Sequence, residues 1–204
     1  SELLTEPEYG PVSEPAKPMM NEGLKSLTEG VDFVTDFLNA SNIEKGIYKY
    51  EIQPLDMKVL VQNVAERQKT VAEEKGLSFE SRVDEGDYNM SGDKAQLEQA
   101  VRNLIDNSIR YTPKGSIKLQ LTKNNNKILL KIEDTGIGIS DELRPQLFTK
   151  GGRDENSLKI NINSTGFGLS FVKDVVEAHH GRVWAESSGI NQGSTFYMEL
   201  PITL

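Results

Sequence analysis

From Met20 onward the apolar residues Met20, Leu24, Leu27, Val31, Val34 and Leu38 recur at intervals of four, three, four, three and four. This is a heptad seam. It constrains the first part of the chain to one long helix that needs a partner surface. Phe33 and Phe37 widen the apolar face. Two partners are open: the rest of the chain, or other helices in an intermolecular bundle. The break at Gly46, after which a new pattern begins, favours the bundle. Upstream, Pro7, Pro11, Pro15 and Pro18 read as loop, with Ser13 and Pro15 marking the helix start.

Beyond Gly46 helical and strand periodicities alternate. Ile47–Ile52 reads as a strand, and Pro54 opens a helix with Met57, Leu60, Val61, Val64, Val71 and Ala72 on one face, ended by Gly76. Leu77–Val83 reads as a second strand. Asp93 is the expected cap of a helix running to about Tyr111. Ser116–Thr122 and Lys127–Glu133 flank Asn124-Asn125-Asn126, a hairpin signal. A helix over Gly166–His180 and strands over Arg182–Ser187 and Thr195–Leu200 complete the expected order. Phe148–Thr165 has neither period, and a polar segment of that length in a compact domain reads as a lid.

The chain has 204 residues, enough for one ordinary domain and an extra element. Its net charge of −8 argues against nucleic-acid binding, which depends on neutralising phosphates. Any nucleotide entering so acidic a protein needs local cations and a metal. With no Cys, disulfides and Cys-based zinc sites are excluded. No apolar run approaches the roughly 20 residues that span a bilayer.

Three segments carry candidate chemistry. On the Asp93–Tyr111 helix, Asn103 and Asn107 are four apart and share one side, with Arg110 three further on. A carboxamide oxygen can ligate a hard cation such as Mg2+, and an arginine can reach a phosphate. A solvated helix face is the plain alternative. The strand ending at Asp134 runs into Gly136 and Gly138; a carboxylate there can accept from an exocyclic amine, while the glycines let a ring approach. A simple turn is the alternative. Ser164-Thr165-Gly166-Phe167-Gly168-Leu169-Ser170 opens a helix whose backbone N–H groups suit an anion. It lacks the Lys of a P-loop and the preceding strand of a dinucleotide fold.

Each segment alone is weak, but their order and intervals resemble the ATP-binding domain of sensor histidine kinases, within the superfamily shared with HSP90, DNA gyrase B and MutL. Gln96–Thr112 (QLEQAVRNLIDNSIRYT) is similar to the N box and Asp134–Ile139 (DTGIGI) to the first glycine box. Leu147–Phe148 resembles a reduced F box, Ser164–Ser170 (STGFGLS) the second glycine box, and Gly193-Ser194-Thr195-Phe196 the closing strand motif. The resemblance covers about residues 46–204. It implies a Bergerat-type α/β two-layer sandwich: a mixed, mostly antiparallel sheet with helices on one face. Residues 1–45 resemble part of a dimerisation and phosphotransfer hairpin, ending in the long helix.

The resemblance also implies roles and cofactors, ATP and Mg2+. Asn107 would bind the metal, with Asn103 beside it. Arg110 would contact phosphate, and Tyr111 would lie against the nucleotide. Asp134 would accept from the adenine amine, Gly136, Ile137, Gly138 and Ile139 would shape the pocket, and Ser194 would support it. Thr165, Gly166, Phe167, Gly168 and Leu169 would meet the phosphates, with Lys150 and Arg153 reaching in from the lid. At the position of Asn103, ATPases resembling HSP90 carry a Glu that activates water; Asn is a poor base, so ATP is expected to be held for transfer.

Histidine kinases phosphorylate a His on the hairpin, yet the only histidines here, His179 and His180, follow the second glycine box and read as exposed helix-end residues. The acceptor is expected upstream of Ser1, so this fragment is not expected to phosphorylate itself. Implied partners are a response regulator and a second copy through the hairpin, with no nucleic acid and no direct membrane contact, in the cytoplasm. A non-catalytic nucleotide-binding module and a HSP90- or gyrase-like ATPase are the competing readings.

Overall fold

The computed structural model describes residues 13–45, 48–149 and 168–202. Its contacts divide the chain into two units, Ser1–Gly46 and Ile47–Leu204.

The first unit holds helix α1 (Ala16–Glu44), 29 residues and about 44 Å long. Its first turn is anchored on the Ser13 carbonyl, which accepts from Ala16 N at 2.9 Å. The heptad seam is real as a stripe on this helix. Met20 and Leu24 are 37% and 39% exposed, and Leu27, Val31, Val34 and Leu38 are 52% to 70% exposed. The side chains of Phe33 and Phe37 lie outside the described residues.

The second unit begins differently from the sequence expectation. No strand forms at 48–52. Strand β1 is Gln53–Asp56, and Pro54 lies inside it opposite Ser91 instead of opening a helix. Pro is tolerated because this is a two-stranded ribbon, which leaves its nitrogen without a required partner. Helix α2 (Met57–Glu74) starts only after Asp56, whose carboxylate accepts from Lys58 N at 2.8 Å and Val59 N at 3.4 Å. Met57, Leu60, Val61, Val64 and Ala72 are buried, as their helical spacing requires, whereas Val71, expected on the same face, is exposed. Strand β2 (Ser78–Val83) follows. Then comes β3 (Asn89–Gly92), the partner of β1, too short for periodicity to reveal.

Helix α3 (Lys94–Arg110) is capped by Asp93, whose Oδ1 accepts from Gln96 N at 3.1 Å. Strands β4 (Ser116–Asn124) and β5 (Lys127–Asp134) form a hairpin turned by Asn125 in the left-handed region (φ 53°), which Asn tolerates. After a short 3-10 turn, Arg144–Gln146, come α4 (Gly168–Ala178), β6 (Arg182–Glu186) and β7 (Ser194–Pro201). The main sheet has the order β2-β4-β5-β7-β6, antiparallel except for β2 with β4.

Strand alternation sorts the two faces. Ile117, Leu119, Leu121, Ile128, Leu130, Ile132, Phe196, Met198 and Leu200 are buried on one face, with the apolar sides of α2, α3 and α4. The other face carries Lys118, Lys131, Glu133, Trp184 and Tyr197, with Trp184 and Tyr197 stacked at 4.8 Å. This is the expected two-layer arrangement, with a mostly antiparallel sheet. None of the described helices is long and apolar enough to cross a membrane.

Candidate functional site

Strand β5 ends at Asp134, in register with Ser194 at the start of β7. The sheet thus delivers a carboxylate and a hydroxyl to one edge of the core. Asp134 is only 4% exposed. Its Oδ1 accepts from Gly136 N at 2.9 Å and Ser194 N at 3.3 Å, and its Oδ2 accepts from Ser194 Oγ at 2.6 Å. Burial pushes its pKa above the ordinary value, and the donors from Ser194 and Gly136 pull partly back. Ser108, wholly buried on α3, adds to that pull without a well-aligned hydrogen bond.

The turn after Asp134 is packed too closely for side chains. A Cβ on Gly136 would lie 2.3 Å from Tyr111 O, 2.8 Å from Thr112 Oγ1 and 2.9 Å from Asp134 Oδ1. Gly138 (φ 69°) faces Gly189 O, and Gly193 (φ 68°) faces Asp134 O, with 2.0 and 2.1 Å left for a Cβ. Ile137 N donates to Tyr111 O at 3.0 Å and so ties the turn to the end of α3.

A second loop, between β6 and β7, braces this turn. Asn191 N donates to Ile137 O at 2.6 Å, Gly193 N to Gly136 O at 3.1 Å, and Ile139 N to Ser187 Oγ at 3.0 Å. Ser187 Oγ in turn donates to Gly193 O at 2.7 Å. Ser187 and Asn191 were not legible as site residues, since nothing local marks a serine as a brace for a turn 48 residues away.

On α3, Leu97, Val101, Leu104, Ile105 and Ile109 are buried, and the helix packs against α2 and α4. Asn107 Nδ2 donates to Asn103 O at 2.8 Å. With the nitrogen tied to the helix backbone, the oxygen is the carboxamide atom left to meet a hard cation. Asn103 is 8% exposed, its Oδ1 accepts from Gln99 Nε2 at 3.5 Å, and its Nδ2 has no partner. That nitrogen lies 3.8 Å from where a Cβ of Gly168 would sit, so the start of α4 meets α3 there. Arg110 is half-buried, and the last carbonyls of α3, Ile109 O and Arg110 O, accept from Lys75 Nζ at 2.6 and 3.0 Å. Burial, then the nearby Arg110, lowers the Lys75 pKa. Glu98 pairs with Arg67 on α2, away from Asn103.

The structure therefore joins Tyr111, Asp134, Gly136, Ile137, Gly138, Ile139 and Ser194 into one hydrogen-bonded wall, with Asn103 and Asn107 on α3 and Gly168 at the start of α4. Leu169 follows Gly168 in the first turn of α4. Lys150, Arg153, Thr165, Gly166, Phe167 and the lid beyond Thr149 lie outside the described residues.

Thr112 Oγ1, Ser108 Oγ and Asn103 Nδ2 are buried without partners. Each such group costs on the order of 1–3 kcal/mol, so Thr112 and Ser108 near Asp134, and Asn103 near Gly168, fit a polar ligand that would pair them. A groove of about 630 Å3, lined by Leu55, Val59, Asn63, Arg67, Lys94 and Glu98, shares no residue with this wall and holds no such orphan. Among the described residues no three acidic or histidine groups gather as a metal cage.

One expectation is overturned here. His179 is not an exposed helix-end residue; it is 6% exposed, because both ring nitrogens bond backbone. His180 is exposed and left-handed (φ 58°).

Residues 92–204 match a family profile described as histidine kinase-, DNA gyrase B- and HSP90-like ATPase. The circadian input-output histidine kinase CikA of Synechococcus elongatus is 28% identical over 200 residues, 95% of this chain and 26% of that protein. Full-length ShkA, solved in complex with AMPPNP, superposes with TM-score 0.75 at 21% identity over 96% of this chain and 41% of its own. Histidine kinase ThkA, solved in complex with the response regulator protein TrrA, superposes with TM-score 0.66 at 21% identity over 94% of this chain and 53% of its own. The chain spans less than half the length of the curated relatives it matches.

Proposed function

Since the chain belongs to the family of histidine kinase-, DNA gyrase B- and HSP90-like ATPases, we propose that it is the ATP- and Mg2+-binding region of a sensor histidine kinase. It would hold ATP while the γ-phosphoryl group passes to a histidine outside this chain. The observation that carries this reading is the buried Asp134 carboxylate, with the buried hydroxyls of Thr112 and Ser108 close by. That arrangement suits a purine, whose exocyclic amine donates and whose ring nitrogens accept.

In this reading Asp134 accepts from the adenine amine, and Ser194 and Gly136 hold the carboxylate in place. Gly136 and Gly138 let the turn pack against Tyr111 and Gly189, which shapes the surface the ring would meet. Asn107 offers its oxygen to Mg2+, which needs only one or two protein oxygens beside the phosphates. Bound Mg2+ would offset phosphate charge during transfer. Arg110, Gly168 and Leu169 lie on the phosphate side, with Lys150, Arg153, Thr165, Gly166 and Phe167 assigned there by resemblance alone. The acceptor imidazole nitrogen forms the bond to phosphorus as the bond to the ADP oxygen breaks. Asn103 cannot take a proton from water, so hydrolysis competes poorly.

In this reading neither histidine of the chain is the acceptor. Of its two histidines, His179 has both ring nitrogens engaged by backbone and His180 lies beyond α4. That leaves room for a second reading, a nucleotide-binding signalling module that transfers nothing. Mixing this chain with γ-labelled ATP and a hairpin that carries the acceptor histidine separates the two. Acid-labile label on the hairpin is the expected result, with none on this chain alone. Rapid steady-state hydrolysis without transfer would point to the ATPase branch of the family. The response regulator partner, self-association through α1 and a cytoplasmic setting belong to this same proposal, supported by the names of the relatives and by the exposed seam.

A further inference from the structure

We propose that His179 is a positioning residue for the polyphosphate: it locks the crossing of α3 and α4 at the end remote from the nucleotide. The inference rests on the reading that these two helices flank the phosphates.

His179 follows the last residue of α4, and its N–H bonds to Val175 O and Val176 O at 3.2 and 3.1 Å. Its ring Nδ1 lies 2.7 Å from Val175 O. A carbonyl can only accept, so Nδ1 carries the proton. Nε2 is then a lone pair, and Asp93 N donates to it at 2.9 Å. A backbone N–H can only donate, so both bonds agree on one neutral tautomer. Asp93 is also the cap of α3. The imidazole is therefore a crosslink from the last turn of α4 to the first residue of α3.

The crosslink is tightly enclosed. A Cβ on Gly92 would stand 2.8 Å from Leu97 Cδ1 and 3.1 Å from His179 Cδ2. Tyr50 packs edge-on against the imidazole at 5.6 Å, and Glu51 N donates to Asp93 Oδ2 at 3.0 Å.

The two helices run between the same two points in opposite directions. α3 starts at the crosslink and reaches Asn103 ten residues later, about 15 Å along its axis. α4 starts at Gly168, against Asn103, and reaches His179 eleven residues later, about 16 Å away. A change of tilt at the His179–Asp93 end is thus carried as a rigid lever to the Asn103–Gly168 end. The wall that would hold adenine is built mainly from β5, β7 and their turns, touches α3 only at its far end through Tyr111 and Thr112, and holds Asp134 by hydrogen bonds none of which involves His179.

The test is to titrate adenosine and Mg2+–AMPPNP into the 204-residue chain, its His179→Leu variant and its His179→Gln variant, followed by NMR chemical shifts. Gln keeps an oxygen acceptor near the place of Nε2; Leu removes it. The expected result is about a tenfold loss of Mg2+–AMPPNP affinity in His179→Leu, unchanged adenosine affinity, and substantial recovery in His179→Gln. If His179→Leu fails to fold, Gly92→Ala, which presses on the ring, should show the same selective loss. Equal loss for both ligands, no loss for either, or no recovery with Gln overturns the proposal. If the unaltered chain binds neither ligand, the nucleotide-binding reading itself fails, a result distinct from all of these.

Discussion

Ser194 Oγ donates to Asp134 Oδ2 at 2.6 Å, across the last paired position of strands β5 and β7. The same serine donates its backbone N–H to Oδ1 at 3.3 Å. Two strands thus hold one carboxylate rigidly in a nearly dry place, where rigidity and low dielectric make a single acceptor selective. Burial nonetheless outweighs these donors and leaves the Asp134 pKa raised.

That raised value gives a pH signature. The carboxylate accepts from an amine only when ionised. As pH falls toward the raised pKa, Asp134 takes up a proton, and ATP affinity should drop at a higher pH than an exposed Asp would produce. For stability the sign is opposite. The folded state binds this proton more tightly than the unfolded state, so the contribution is full below the unfolded pKa and is lost as pH rises through the folded one. Calorimetric Kd values taken from neutral pH downward check the first point. Asp134→Asn should show a weaker pH dependence.

Asp134→Asn should also weaken ATP binding at neutral pH by roughly ten- to hundredfold, about 1–3 kcal/mol. The amide brings a donor where Gly136 N, Ser194 N and the adenine amine all need an acceptor. Unchanged affinity would count against the pocket.

Asn107→Asp should change how binding depends on Mg2+. An aspartate cannot donate to Asn103 O, and it sets a negative charge beside the phosphates. ATP affinity without metal should fall more than affinity with saturating Mg2+. Parallel titrations in EDTA and in Mg2+ read the difference, and equal losses would remove Asn107 from the metal site.

Gly193→Ala should lower stability by about 2 kcal/mol or more, visible as a fall in Tm. Its φ of 68° disfavours a side chain, and the new Cβ would meet Asp134 O at 2.1 Å. Because that carbonyl belongs to the proposed adenine acceptor, surviving folded protein should also bind ATP more weakly. A melting temperature equal to that of the unaltered chain would show that the loop can move away.

The exposed seam of α1 is expected to drive self-association when the partner helix of the hairpin is supplied. Sedimentation of this chain mixed with that helix should show a heavier species, and Leu27→Asp should abolish it. A monomer in every mixture would assign the seam to something else.

By itself the sequence determined the elements that carry their own signals. Asp93 announces the cap of α3, the spacing of Leu97, Val101, Leu104 and Ile105 announces its buried side, and alternation along β4 and β5 announces a strand that ends in Asp134. These are local, because they follow from a 3.6- or 2-residue period and from what glycine alone permits. Only the tertiary structure decided the rest. Strand β1 takes Pro54 because β3 lies beside it, Ser187 braces a turn 48 residues distant, and His179 bonds a backbone amide 86 residues before it. A serine or histidine becomes a brace or a crosslink only when folding brings an unpaired N–H or carbonyl within about 3 Å of it, and no local pattern records that encounter.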